Sequence, residues 1–193
     1  MTVIVYLHGF RSSPASIKAT QLRQHVDALA SPPTLHIPDL WRGPAEAVGF
    51  VADWVERNAD PGAVTFVGSS LGGFYATHLA ERFDARAVMI NPAVRPQEDL
   101  QPWLGPQTNL YSGATLVVTP SYLDELRALT VARITRPERY FLLVETGDEV
   151  LDYREAVVFY GGAFQYVRGG GDHAFTEFTA QIPAILRFAG APQ

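Results

Sequence analysis

Cysteine is absent from the 193 residues. That removes disulfides, thiolate metal ligands and a cysteine nucleophile together, and it suits a reducing compartment. Blocks of Lys or Arg are missing too, and the formal net charge is −5. Phosphate binding needs a basic face, so nucleic acid is not an expected partner. No apolar run approaches the ~18 residues of a membrane span. Met1 to Leu7 lacks a basic region and its apolar run stops at His8, which is too short for a secretory signal. The expectation is a cytoplasmic chain with no membrane partner. No G-x-G-x-x-G follows the first apolar segment, which argues against a dinucleotide site. Internal repeats and linker-like stretches are lacking, so residues 1–193 read as one domain.

What is present is the composition of a globular protein, 47% hydrophobic and 18% charged. A chain of this length can bury roughly 70% of its unfolded surface. Val3 to Leu7, Thr34 to Ile37, Val64 to Val67, Arg86 to Ile90, Tyr140 to Glu145 and Phe164 to Val167 read as strands. The β-branched and aromatic run at Val3 to Leu7 suits a strand buried on both faces. Between the strands lie amphipathic stretches. Ala15 to Leu29 carries Ile17, Leu22, Val26 and Leu29, and Pro44 opens a helix bearing Val48, Val51, Trp54 and Val55. Further helices are expected after Gly73, over Tyr153 to Tyr160 and around Phe175 to Phe188. Alternating strands and helices predict an α/β fold: a mostly parallel sheet of about six strands with helices on both faces. Ligands bind beyond the carboxyl ends of such strands. His8, Ser70, Asp148 and His173 all fall at such ends.

Gly68-x-Ser70-x-Gly72 lies between a strand and a helix, the setting of a nucleophile elbow. The turn is sharp, so residues two positions either side of the serine must be small. It also places the serine Oγ over a helix N-terminus, where developing negative charge is favoured. Ser69 is the competing serine, but the flanking glycines centre on Ser70. The loop His8-Gly9-Phe10 ends the first strand. The Phe10 N–H and the N–H of Leu71, the residue after the serine, are the expected oxyanion donors. The His8 side chain is assigned only an ordering role in that loop. In α/β-hydrolase sheets the partners follow in the order serine, acid, histidine. Of the five histidines only His173 follows the late strands. His25 and His78 fall in helices, and His36 is the remaining one worth a test. Asp148 is the first acid after the turn glycine that ends the fifth strand, and it is expected to accept the His173 Nδ1–H. Glu149 and Asp152 are the alternatives, and Asp152 equally suits a helix cap.

Several blocks around these residues carry a family resemblance. They are Tyr6-Leu7-His8-Gly9-Phe10 with Ser12-Ser13-Pro14, Gly68-Ser69-Ser70-Leu71-Gly72-Gly73-Phe74-Tyr75-Ala76-Thr77, and Asn91-Pro92-Ala93-Val94. Tyr111-Ser112-Gly113, Thr146-Gly147-Asp148-Glu149-Val150-Leu151-Asp152-Tyr153 and Gly170-Gly171-Asp172-His173-Ala174-Phe175 continue the series. In this order the chain resembles the YqiA-like family of small bacterial esterases within the α/β-hydrolases. The resemblance implies carboxylesterase or acyl-thioesterase activity on a small-molecule ester or thioester, with no cofactor and no metal. It carries over Ser70 as nucleophile, Asp148 as acid and His173 as base.

Residues 95–137, between the fourth and fifth strands, show no strong strand pattern apart from a helical stretch from Ser121 to about Leu129. A segment of this length in a compact domain is usually functional or a lid. It is expected to form a small helical cap whose Trp103, Tyr122 and Leu126 line the acyl site. A catalytically silent hydrolase fold used as a binding module is the rival reading. It is disfavoured because every catalytic position is filled.

Overall fold

The computed structural model describes residues 2–191. Six parallel strands form the central sheet: β1 (Val3–Leu7), β2 (Thr34–His36), β3 (Val64–Ser69), β4 (Arg86–Ile90), β7 (Tyr140–Glu145) and β8 (Phe164–Arg168). Their spatial order is β2-β1-β3-β4-β7-β8. Alternation along the buried strands divides the core in two. Val3, Val5 and Leu7 of β1, with Phe66 and Met89, face helices α2 (Pro44–Asn58) and α3 (Leu71–Phe83). Ile4 and Tyr6, with Val67, Val88, Ile90 and Leu143, face α1 (Ile17–Asp27) and α7 (Phe178–Phe188). Both faces are covered, which is why the central strands read as continuous apolar runs. This is the α/β-hydrolase architecture that the sequence predicts.

From β1 the chain runs to β2 on one side of the sheet, and from β3 to β4 on the other. The order therefore reverses at the carboxyl ends of β1 and β3, where Leu7 pairs with Gly68. A crevice opens at such a switch point. Ser70 and the loop after β1 stand on its two sides.

Segment 95–137 differs from the expected helical cap. It holds the short helix α4 (Pro96–Asp99), an antiparallel hairpin of β5 (Gly105–Thr108) and β6 (Thr115–Val118), and α5 (Pro120–Ala128). Gly105-Pro106-Gln107-Thr108 carries little strand propensity. The hairpin is imposed by docking on the loop after β1: the Leu110 N–H donates to the Arg11 carbonyl at 2.9 Å and the Arg11 Nε–H to the Thr108 carbonyl at 3.0 Å. Helix α5 belongs to the core. Its Glu125 accepts the Ala45 N–H at 3.0 Å, capping the first turn of α2 where Gly43 offers no side chain. Helix α6 spans Tyr153–Phe159. Helix α7 starts at Phe178, later than its apolar pattern suggests, because Phe175 is left-handed with φ 55°. Among the described residues no helix is long and apolar enough to cross a membrane.

Two glycines make the junction of α3 with the sheet possible. A Cβ on Gly68 would overlap the Gly72 carbonyl, and a Cβ on Gly72 would overlap the Leu7 carbonyl. The obstacles are backbone atoms and cannot rotate away. Gly72→Ala is therefore expected to cost about 2 kcal/mol or more, whereas Gly49→Ala, with open space at its Cβ, should be neutral or stabilising. Urea unfolding of the two variants checks the contrast.

Candidate active site

Ser70 carries the backbone strain of the site. Its φ of 56° and ψ of −122° lie in a region almost reserved for glycine. The conformation persists because its surroundings hold it: the Ser70 N–H donates to the Ile90 carbonyl at 3.0 Å, and the Ser70 carbonyl accepts from Gly73 at 2.9 Å and Ala93 at 3.2 Å. The reversal lifts the hydroxyl off the end of β3 and into the crevice. Ser69, one residue earlier, is still in β3 and is buried.

Three segments far apart in sequence meet at this hydroxyl. His173 Nε2 lies 3.1 Å from Ser70 Oγ, and His173 Nδ1 lies 2.8 Å from Asp148 Oδ2 and 3.0 Å from Oδ1. An anionic Asp148 can only accept, so Nδ1 carries the proton and Nε2 is left to accept from the serine. Asp148 Oδ1 also accepts the Val150 and Leu151 N–H groups, each at 2.9 Å. Burial works to raise the Asp148 pKa. The hydrogen bonds from His173, Leu151 and Val150 outweigh it and hold the carboxyl below its ordinary value. Of the alternative acids, Asp152 caps α6 by accepting the Arg154 N–H at 2.9 Å. Glu149 accepts the His173 backbone N–H at 3.0 Å and is not paired with its ring. His36 stacks on Trp54 with ring centroids 3.9 Å apart, on the edge strand β2.

The loop after β1 forms the facing wall. A Cβ on Gly9 would stand 3.2 Å from Ser70 Cβ, so the backbone there passes the serine closely. His8 is buried, and the Leu40 N–H donates to its Nε2 at 3.0 Å. Its Nδ1–H therefore donates to the Gly9 carbonyl at 3.0 Å. Burial lowers the His8 pKa, consistent with a neutral ring that braces the loop. Among the described residues neither the Phe10 N–H nor the Leu71 N–H has a protein acceptor. Phe10 lies in the loop after β1, and Leu71 is the first residue of α3.

A cleft of about 510 Å³ opens beside Ser70 and His173. Its walls include Phe10, Ile17, Leu110, Tyr111 and Phe175, and Tyr6, Ser16, Lys18 and Gln21 also line it. Asn109 shapes the hairpin tip: its Oδ1 accepts from the Tyr111 and Ser112 N–H groups, and its Nδ2 donates to the Ser12 carbonyl at 2.8 Å.

The expected acyl-site residues of segment 95–137 are elsewhere. Tyr122 and Leu126 are buried in the core with α2 and α3. They recur on the inward face of α5, and a helix packed on the sheet turns that face to the core and away from the crevice. Trp103 stands behind Phe10, edge-on at 6.3 Å, with the Arg11 guanidinium over its ring at 5.5 Å. Leu110 and Tyr111 take the place expected for these residues, because the hairpin and not α5 reaches the cleft. Ile17 is a second departure. The apolar face of α1 that packs is Ala19, Leu22 and Val26, and Ile17 is 70% exposed at the cleft.

Asp148→Asn should cost far more of any Ser70-dependent turnover than Asp152→Asn, read as kcat on one ester. Stability supplies a second check. A carboxyl depressed on folding stabilises above its unfolded pKa of about 3.9, and the contribution disappears as pH falls through the lower folded value. The stability gap between wild type and Asp148→Asn should therefore narrow below about pH 4, measured by denaturant unfolding at stepped pH.

Comparison with known proteins places this geometry in context. A UPF0227 protein of Pectobacterium carotovorum subsp. carotovorum strain PC1 is 26% identical over 192 residues, covering 96% of this chain and 98% of its own. A second, from Pectobacterium atrosepticum, matches to the same identity and extent. Among solved structures, alpha/beta hydrolase domain-containing protein 10 from mouse superposes with a TM-score of 0.72 at 18% identity, over 97% of this chain and 89% of that one. Est1E from Butyrivibrio proteoclasticus does so with a TM-score of 0.70 at 14% identity, over 97% and 86%. These likenesses show the α/β-hydrolase fold. The family model described as "Uncharacterised protein family (UPF0227)" matches residues 3–190, and the chain belongs to that family.

Proposed function

We propose that the protein is a serine hydrolase acting on carboxylic esters or acyl thioesters, with Ser70 as nucleophile, His173 as general base and Asp148 as its orienting acid. The observation that carries this reading is the continuous hydrogen-bonded line from Ser70 Oγ through the His173 ring to Asp148, at 3.1 Å and 2.8 Å. A surface histidine or a helix-capping serine has no need of that line, nor of the strained backbone at Ser70.

In the first step Ser70 Oγ attacks the acyl carbonyl while His173 Nε2 takes its proton. The Phe10 and Leu71 N–H groups receive the oxyanion of the tetrahedral intermediate. Collapse expels the alcohol or thiol, which takes the proton from His173. Water then attacks the acyl-enzyme by the same route, and the acid leaves. Asp148 keeps Nδ1 protonated and stabilises the imidazolium formed in each half-reaction. The apolar walls of the cleft suit the carbon chain of the acyl group.

Ser70→Ala should lower kcat by about 10⁴-fold or more and abolish fluorophosphonate labelling with the fold retained. Ser69→Ala should keep labelling. Normal labelling of the Ser70 variant would move the nucleophile elsewhere.

The acyl pocket is tested with nitrophenyl esters from two carbons upward. Each buried CH₂ adds up to ~0.8 kcal/mol, so kcat/KM should climb until the cleft is full. Leu110→Ala and Tyr111→Ala should flatten that climb. Leu126→Ala should leave its shape alone and instead lower stability by about 2–5 kcal/mol, as a core truncation does. A profile altered by Leu126→Ala and untouched by the other two would return the pocket to α5.

A further inference from the structure

His173 lies on a segment with no regular secondary structure, between the end of β8 and the start of α7. A loop of that kind moves unless something else holds its peptide groups. Here side chains from other elements hold most of them, beside the Phe175 N–H, which donates to the Asp172 carbonyl at 3.1 Å within the loop. Glu145 Oε2 accepts the Asp172 N–H at 2.9 Å, Glu149 accepts that of His173, and the Lys18 ammonium donates to the Ala174 carbonyl at 2.6 Å. Asn91 Nδ2 donates to both remaining carbonyls, Asp172 at 3.0 Å and His173 at 3.3 Å.

Asn91 differs from the other three in what lies behind it. It is 2% exposed and left-handed, with φ 40°, a conformation asparagine tolerates better than most residues. Its backbone N–H donates to the Leu143 carbonyl at 2.9 Å, and its Oδ1 accepts the Glu145 N–H at 3.0 Å. The carboxamide is thus oriented from β7 before it reaches the histidine loop. The residue just before it, Ile90, accepts the Ser70 N–H, and Ala93, two residues after it, donates to the Ser70 carbonyl. One four-residue turn therefore grips the strained serine with its backbone and the histidine loop with a side chain.

We propose that Asn91 is the positioning residue of the site: by clamping the Asp172 and His173 carbonyls, it sets the His173 ring between Ser70 Oγ and Asp148. The inference builds on the serine hydrolase reading. It assigns Asn91 no contact with substrate. A misplacement of about 1 Å costs about a hundredfold in rate when the donor and acceptor atoms must align. Loss of the clamp should therefore appear chiefly in kcat, with only a small change in KM, because Phe10, Ile17, Leu110 and Tyr111 stay in place and Phe175 is the one apolar wall on the same loop.

Two variants separate the clamp from its backbone. Asn91→Gly tolerates the positive φ and removes every side-chain bond. Asn91→Asp keeps the acceptor for the Glu145 N–H but replaces the donor to the two carbonyls with a carboxylate oxygen that repels them, and Asn91→Gly, which adds no charge, is its control. Both should lower kcat on a nitrophenyl ester by about a hundredfold, with KM within about twofold, at a temperature where circular dichroism shows native protein. In ¹⁵N-histidine spectra, the slowly exchanging Nδ1 proton shared by His173 and Asp148 in the wild type should broaden or vanish in both. Native kcat in either variant overturns the proposal, as does a lost rate with the Nδ1 proton unchanged. If neither variant folds, the wild type decides: the Asn91 side-chain amide protons must exchange as slowly as those of β4, and fast exchange overturns the clamp. The spectroscopic readouts need no substrate. A wild type that turns over no ester or thioester would strike the hydrolase reading and leave these measurements to judge Asn91.

Discussion

Helix α3 begins in contact with the strands that deliver it, and much of the site follows from that closeness. Its first turn lies against the Leu7 carbonyl, and the chain reverses between Gly68 and Gly72 with no room for a Cβ at either. Such an approach is available only through glycine, and it forces the intervening Ser70 into a backbone conformation that costs of order 1–3 kcal/mol. The strain is held by the end of β4 and the turn after it, and by the first turn of α3. In return the serine hydroxyl stands clear of the sheet, with the helix N-terminus beneath it and the loop after β1 facing it. The His173 ring would lose its partner if the reversal relaxed.

The rest of the site is brought to that hydroxyl by a sheet whose own stability does not depend on it. Both faces of β1, β3, β4 and β7 are buried under helices, giving a rigid platform with its carboxyl ends aligned. On that platform polar side chains tie down the loops, with the buried Phe175 as an apolar anchor of the histidine loop. His8 braces the loop after β1, Asn109 shapes the hairpin tip, and Glu145 and Asn91 hold the histidine loop. Glu145 is fully buried and shares its carboxylate between the Arg168 guanidinium at 2.7 Å and the Asp172 N–H. A buried carboxylate is costly unless every oxygen is used, and here both are. The same carboxylate occupies the space a side chain at Gly171 would need.

The cleft is built by a different logic. Leu110 and Tyr111 are exposed apolar residues at the tip of a hairpin, and Ile17 is an exposed apolar residue at the start of α1. Each gives up burial that the core could have provided. Their convergence beside Ser70 is the kind of apolar, concave surface on which small ligands bind.

Much of this architecture was legible from residue order. Apolar runs alternating with amphipathic stretches predict the parallel sheet. G-x-S-x-G between strand and helix predicts the reversal at Ser70, because only glycines permit it. Asp148 and His173 follow from their places at late strand ends, since the direction of a parallel sheet puts all carboxyl ends on one side. What periodicity could not decide is which surface an apolar residue meets. Tyr122 and Leu126 recur at the spacing of a buried helix face, and Ile17 at the spacing of another, yet two face the core and one the cleft. Only the docking of each element on its neighbours decides that. The hairpin at Gly105–Val118 was hidden in its first strand, which has little strand propensity and is held at its end by hydrogen bonds to a loop nearly a hundred residues earlier, although Thr115-Leu116-Val117-Val118 is β-prone by itself. Asn91 and Glu145 carry no local signal for the same reason. Their roles exist only because three parallel strands end side by side, so that a carboxamide after β4 and a carboxylate ending β7 both reach the loop that follows β8.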